Sequence, residues 1–258
     1  MPRASAEQSS DIEIREVTAI EEYNACVLLQ REVFGLPDLE ISPRRHLIVS
    51  HEAGGWTLGA FIEGKLVGFV LHLAAVHGDE IFGYSHMMAV AAEYQNRGLG
   101  ARLKWAQRAR ALSEGRNFIK WTFEPTRARN AYFNLNRLGV VVREYAANFY
   151  GTDYVTNPAE KAAGVSGMDS DRVFASWELR SPRVEALATG ADYSLPAEPD
   201  RTIEIPADYS LLLRSDPAAG KREQMRVREE FLKALGDGLV CRAFERDAAR
   251  PRYLFYEE

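Results

Sequence analysis

The stretch from Phe82 to Leu112 constrains this chain more than any other. An apolar run, Phe82 to Val90, stops at a polar turn, and Gly98 and Gly100 stand in that turn directly before a segment of helical spacing. At the start of a helix several backbone N–H groups lack an internal acceptor and the macrodipole is positive, so an anion can bind there. Glycine suits such a place because a missing Cβ lets a phosphate come close to the backbone and permits unusual dihedrals. Arg97 adds a positive charge. A P-loop would need a Gly-Lys-Ser/Thr ending, and a dinucleotide-binding fold would put its glycines after an early strand in a repeated βαβ pattern. Neither pattern is present.

The chain has 258 residues, 46% of them hydrophobic and 27% charged, enough for one sizeable core and a small second one. Met1 to Asp11 are polar and small, with no apolar stretch behind a basic start, and no run approaches the length that spans a bilayer. We therefore expect no membrane partner and a cytoplasmic location. Cys26 and Cys241 stand far apart without a further Cys or a His at ligand spacing, which argues against a zinc site or a disulfide framework, and no metal is expected. A net charge of −5 leaves no broad electrostatic footprint for nucleic acid, the basic cluster Arg102 to Arg110 notwithstanding.

Along the chain, Ile12 to Val17 reads as a strand and Glu21 to Phe34 as a helix ended by Gly35-Leu36-Pro37. Trp56 to Ile62 and Leu66 to Leu73 read as strands joined by Glu63-Gly64-Lys65, a connection suited to a hairpin. Behind Phe82 to Val90 comes an amphipathic helix with Leu99, Leu103, Ala106, Ala109 and Leu112 inward and Gly115 at its end. Phe118 to Phe123 is a strand. Arg127 to Leu138 is a helix capped by Thr126, with Ala128, Ala131, Leu135 and Leu138 inward and Gly139 after it. Strands come next at Val140 to Phe149 and Val173 to Leu179, with an exposed loop, Gly151 to Asp171, between them that suggests a lid or contact arm. Ser181 to Asp200 reads as a polar linker. Beyond it the spacing predicts a strand at Thr202 to Ile205, a helix from Ala219 to Leu235, and a hairpin of Leu239 to Phe244 with Arg252 to Tyr256.

The turn Gln95-Asn96-Arg97-Gly98-Leu99-Gly100, placed after a strand ending Met88-Ala89-Val90, resembles the signature of the GNAT acyltransferase superfamily, Gln/Arg-x-x-Gly-x-Gly/Ala. The order of elements from about Ile12 to Leu179 is similar to that family as well. The resemblance implies an α/β (α+β) fold with a mixed, mostly antiparallel sheet flanked by helices. It divides the chain into an acyltransferase domain over residues 1–180 and a small α/β extension, residues 181–258, docked on it. It further implies that the strands Phe82–Val90 and Phe118–Phe123 splay to admit a pantetheine arm. Backbone groups around Met88 and Val90 would hold that arm, and the N–H groups from Gln95 through Asn96, Arg97, Gly98, Leu99 and Gly100 to Ala101 would bind the pyrophosphate.

Members of that family usually pass the acyl group directly to a bound amine. They often draw an acid or base from the fourth strand and a tyrosine from the helix after the fifth. Tyr84 stands where some relatives carry a glutamate, and His86 comes next on the same strand face. We take His86 as the general base, since its ordinary pKa lies near working pH. The usual tyrosine falls at Leu135, a departure from the pattern. Tyr132, one turn earlier, is the substitute proton donor, with a core aromatic as the alternative. Asn130 and Asn134, four apart, are candidates to orient the thioester or pantetheine. His46, His51, His72 and His77 show no partner spacing and read as structural or solvent-facing.

The resulting expectation is an N-acyltransferase that uses acetyl-CoA, or another acyl-CoA, and acts on the amine of a small molecule or amino acid. Transfer to a protein lysine or N-terminus, succinyl-CoA-dependent amino-acid acylation, and a non-catalytic CoA-binding module are the alternatives. A homodimer is left open.

Overall fold

The computed structural model describes residues 12–152, 154, 160, 162 and 165–258. Met1–Asp11 and part of the loop read from Gly151 to Asp171 lie outside the described residues. The chain divides into two compact units between Arg116 and Asn117.

In the first unit the strands β1 (Glu13–Glu16), β2 (Trp56–Ile62), β3 (Lys65–His77) and β4 (Glu80–Val90) succeed one another in a sheet of order β1-β2-β3-β4, every pair antiparallel. The β2–β3 hairpin pairs Ile62 with Lys65, leaving Glu63 and Gly64 as a two-residue loop. Both take positive φ, 49° and 76°, as the favoured tight hairpin turn requires. Two helices, α1 (Ile20–Phe34) and α2 (Arg44–Glu52), bury Tyr23, Cys26, Leu29 and Leu47 against Phe61, Phe69, Leu71 and Ala89. The spacing rules do not reveal α2. Its only apolar residues, Leu47, Ile48 and Val49, are consecutive, so no helical period shows.

Helix α3 (Leu99–Ser113) is joined to β4 by a short turn. Its buried side chains are Leu99, Leu103, Lys104, Gln107 and Ala111, while Ala109, expected inward, is exposed. Two polar residues occupy part of the inward face because they bond to one another and to the sheet, which an apolar pattern cannot register.

The second unit holds β5 (Phe118–Phe123), α4 (Ala128–Tyr132), β6 (Val141–Ala146), β7 (Arg172–Glu178), α5 (Pro182–Thr189), β8 (Arg201–Glu204), α6 (Tyr209–Ser215), α7 (Pro217–Gly236), β9 (Val240–Glu245) and β10 (Arg252–Tyr256). Its strands lie in the order β5-β7-β6-β9-β10-β8, again antiparallel throughout. Trp121 and Trp177 meet edge to face, 5.7 Å between centroids, and Trp177 donates its indole N–H to the Leu138 carbonyl at 2.8 Å.

Segment 181–258 contributes three of these strands and is bonded at several points to the residues before it. The Tyr253 hydroxyl donates to the Pro125 carbonyl at 2.6 Å, and the Phe244 N–H donates to Asn136 Oδ1 at 2.9 Å. Arg228, from α7, reaches both Asp169 and the buried Asp171 at 2.6 Å. Phe231 of the same helix packs among Tyr145, Tyr253 and Phe255. The stretch read as a linker contains α5, whose signals are local. Ser181 caps it, Pro182 opens it, and Gly190 closes it in the left-handed conformation, φ 75°.

Among the described residues no helix is long and apolar enough to cross a membrane, and no group of three or more His, Cys, Asp or Glu is placed to hold a metal ion.

Candidate active site

Strand β4 carries one residue more than β3 across from it. His72 pairs with Ser85 and Leu71 with Met87, so His86 has no partner in the ladder and forms a β-bulge. Such an insertion bends the strand and re-aims the extra side chain. Here it aims His86 toward α2, where its ring meets that of His46 edge to face, centroids 5.7 Å apart and planes at 80°. His86 keeps one side open to solvent, while the protein on its other side strips part of the ring's hydration. That loss of solvent, and secondly the charge His46 can carry, hold the His86 pKa below the ordinary histidine value. A neutral imidazole is therefore the prevailing form near pH 7. Tyr84 is half-buried and pairs with Leu73 across the ladder.

Past the bulge, β4 ends at Val90 and the turn begins. The Gln95 side chain donates to the Val90 carbonyl at 2.9 Å, so this glutamine closes the turn and leaves its own backbone to define the next step. Asn96 takes φ 62°, one of the few positive values outside glycine, and Gly98 takes φ 81° as the N-cap of α3. The first main-chain bond of the helix runs from the Arg102 N–H to the Gly98 carbonyl at 3.1 Å. The N–H groups of Leu99, Gly100 and Ala101 consequently have no acceptor inside the helix, and Gly98 has no side chain to cap them. A Cβ at Gly98 would meet no atom within 4 Å, and one at Gly100 would touch only the Met88 side chain, at 3.4 Å from its methyl. No acidic residue stands in the first turn. Arg97 is exposed, its guanidinium 6.0 Å from the Tyr94 ring centroid. An anionic diphosphate fits this cradle by the chemistry of its donors.

In the second unit the helix after β5 does not keep its α period. Residues 128–132 are α-helical, but Phe133–Arg137 form a π turn in which the Leu138 N–H reaches back to the Phe133 carbonyl at 3.2 Å. The wider turn changes the angular step between successive side chains, and this separates Asn130 from Asn134. Asn130 is exposed, whereas Asn134 is buried, its Oδ1 accepting from the Trp121 indole at 3.2 Å. The expectation of a shared face thus meets a different arrangement, for a reason of helix geometry. Leu135 is fully buried and its carbonyl accepts from Arg183 at 2.7 Å. Tyr132 is half-buried, with the Arg246 guanidinium 4.9 Å from its ring centroid.

Neither cysteine is chemically prominent. Cys26 is buried and its thiol is pushed up to about 12, and burial raises that of Cys241 as well. A cavity of about 50 Å³ in the second unit, lined among others by Glu124, Arg127, Glu160 and Asp171, has room for a water or two but not for an acyl chain. His46 is the residue that spacing arguments overlook. It lies 40 positions from its partner on a helix without apolar periodicity, and only the fold brings the two rings together.

Known proteins share part of this sequence and this fold. The sequence profile described as the Acetyltransferase (GNAT) family matches residues 21–136, which takes in α1, the bulge and the cradle. No curated protein matches the sequence. Among solved structures the fold is similar to that of an N-acetyltransferase from Staphylococcus aureus Mu50, at 12% identity and TM-score 0.51, covering 66% of this chain and 100% of that one. It is similar also to a protein assigned to the GNAT acetyltransferases from Desulfovibrio desulfuricans, at 15% identity and TM-score 0.52, covering 65% and 99%. A protein of Streptococcus mutans UA159 gives 15% and 0.51, covering 65% and 99%. At such identities the structural likeness speaks for the fold, a mixed α/β arrangement with a mostly antiparallel sheet flanked by helices. Together with the matched profile, it marks residues 21–136, a little under half of the chain, as similar to the GNAT acetyltransferase family.

Proposed function

We propose that the protein transfers an acyl group, acetyl by default, from acyl-CoA to the amine of a small molecule or amino acid, in one direct step. The observation that carries this reading is the cradle at Gly98–Ala101 and the bulge at His86 on a single strand-turn-helix, β4 to α3. The first-turn N–H groups, with Arg97, hold the diphosphate, and backbone groups near Met88 and Val90 receive the pantetheine arm. Bound acyl-CoA supplies an activated carbonyl with a thiol as leaving group.

His86 then acts on the acceptor. An amine attacks only when deprotonated, and a neutral imidazole held below its ordinary pKa is ready to take that proton at pH 7. As the nitrogen bonds to the acyl carbon, the carbon–sulfur bond breaks, the amine's proton goes to His86, and the departing thiolate takes a proton from solvent. Direct transfer is supported by the cysteines. Both are buried with thiols far from ionisation at pH 7, which disfavours an acyl-enzyme on either.

One observation favours a second reading. Leu135, where the family resemblance expects a tyrosine, is buried and offers no hydroxyl. A non-catalytic CoA-binding module would need none. Mass spectrometry of the purified protein for retained CoA, then thiol release from acetyl-CoA and succinyl-CoA over a panel of amines and amino acids, separates the two. Acyl-dependent thiol release with a stoichiometric amide product supports the enzyme. Retained CoA with no turnover on any amine supports the module.

A further inference from the structure

The inward face of α3 carries a lysine. Lys104 is 3% exposed, and burial drives its pKa well below the ordinary lysine value. Its Nζ donates to Ser85 Oγ at 2.7 Å and to Gln107 Oε1 at 3.0 Å. With its carbonyl oxygen engaged by the lysine, the Gln107 amide turns its NH₂ toward His72 Nδ1, 3.3 Å away. His72 must then be neutral with its proton on Nε2, because a ring nitrogen that accepts cannot also carry hydrogen.

The two residues at the ends of this chain of bonds are not arbitrary. Ser85 and His72 are cross-strand partners, and they form the last regular pair before the bulge that expels His86. His72 is wedged as well as bonded. Its ring stacks on Trp56 at 4.0 Å with planes 4° apart, and it fills the notch over Gly83, where an added Cβ would lie 2.1 Å from its Cε1. The polar chain therefore pins both strands to α3 at the one point where their register slips. On α3 itself, Lys104 lies one turn beyond Gly100 of the diphosphate cradle. A methionine of similar length would fill the same space without the cost of desolvating an amine. The amine's contribution thus lies in what it holds.

We infer that Lys104, acting through Ser85 and with Gln107 and His72, is a positioning residue that fixes the β4 bulge, and with it the His86 imidazole, relative to the cradle helix. This rests on the reading of His86 as the base. Lys104 itself touches neither acceptor nor thioester. Its loss should let the bulge relax, so that His86 samples orientations unproductive for proton transfer while the cradle's N–H groups stay in place. A misplacement of about 1 Å at a reacting group is enough for a loss of roughly tenfold or more.

The test uses the full-length chain with three substitutions, Lys104→Met, Ser85→Ala and His86→Ala, and the double variant Lys104→Met/His86→Ala. The probe is acetyl-CoA with the amine that gives the fastest thiol release in the amine panel. Lys104→Met should lower kcat about tenfold, leave the calorimetric affinity for CoA within about twofold of the parent, and have no further effect once His86 is alanine. In the unliganded protein, heteronuclear NMR of the histidine rings, assigned by the His86→Ala variant, should show the His86 signals displaced in both Lys104→Met and Ser85→Ala. Ser85→Ala removes the same bond with a small residue and keeps the test open if Lys104→Met does not fold. Parent-like kcat and unmoved His86 signals in a folded variant would overturn the proposal, as would losses that multiply in the double variant. Should His86→Ala itself keep the parent's kcat, the base assignment fails, and that result is distinct from the others.

Discussion

His46 and His86 meet edge to face, 5.7 Å between ring centroids, with His46 on α2 and His86 on the bulge of β4. The loss of solvent around His86, and secondly a charge on His46, disfavour a proton on the His86 ring. Since the base must be neutral to act, the acid limb of kcat/KM for the acceptor should lie below about 6.5, with activity lost as pH falls through it. His46→Ala removes the repulsion and opens the ring to water, so the limb should move up toward about 6.5. A pH–rate series on both proteins checks this. A limb that stays in place would mean that His86 does not report in the profile.

His86→Ala should cut turnover by about a hundredfold or more while CoA binds nearly as before, because a base acts on the acceptor and not on the nucleotide. Steady-state kinetics with calorimetry of CoA separates the two effects. Equal losses in both would point to a structural role for the ring.

The cradle gives two glycines different tolerances. Gly98 sits at φ 81°, where any other side chain is strained, whereas an alanine at 100 would make only an ordinary contact with Met88. Gly100→Ala should therefore fold like the parent, and Gly100→Val should lose CoA affinity by about tenfold or more through crowding of the diphosphate, with Arg97→Ala weaker in effect. Isothermal calorimetry with CoA decides. Tight binding by Gly100→Val would remove the diphosphate from this turn.

His72 links the core to pH. Burial, with nearby positive charge, pushes it down to about 3, against 6.5 when unfolded. Below 6.5 the unfolded chain takes up a proton that the folded one refuses until about 3, so stability falls across that window as the solution is acidified. The single group accounts for about 2 kcal/mol at about pH 5. Urea unfolding at pH 7 and pH 5 should show His72→Gln losing about that much less than the parent over the interval.

Much of the fold can be read from residue patterns, and the exceptions have physical causes. The β2–β3 hairpin, the cradle and α7 arise from turn chemistry and periodicity. Helix α2 escapes because its apolar residues are consecutive, and His46 escapes with it. Spacing alone gives inward positions of α3 to alanines, whereas Lys104 and Gln107 hold part of that face through bonds to residues distant in sequence. Asn130 and Asn134 look like neighbours under a 3.6-residue period, and the π turn at Phe133–Arg137 parts them. At the site itself the glycines are legible because their reason is local. The bulge is not, since register depends on two strands and a sequence displays them one at a time.

The order β6-β9-β10-β8 determines which strand of the second unit is left at that end of its sheet. Without residues 201–256 the outermost strand would be β6, whose Val141 and Val142 are buried and whose unpaired N–H and C=O groups would form a sticky template for other chains. With them, the terminal strand is β8, four residues long and bearing Arg201, Thr202 and Glu204 around a single buried Ile203. A short, charged margin of this kind resists edge-to-edge growth.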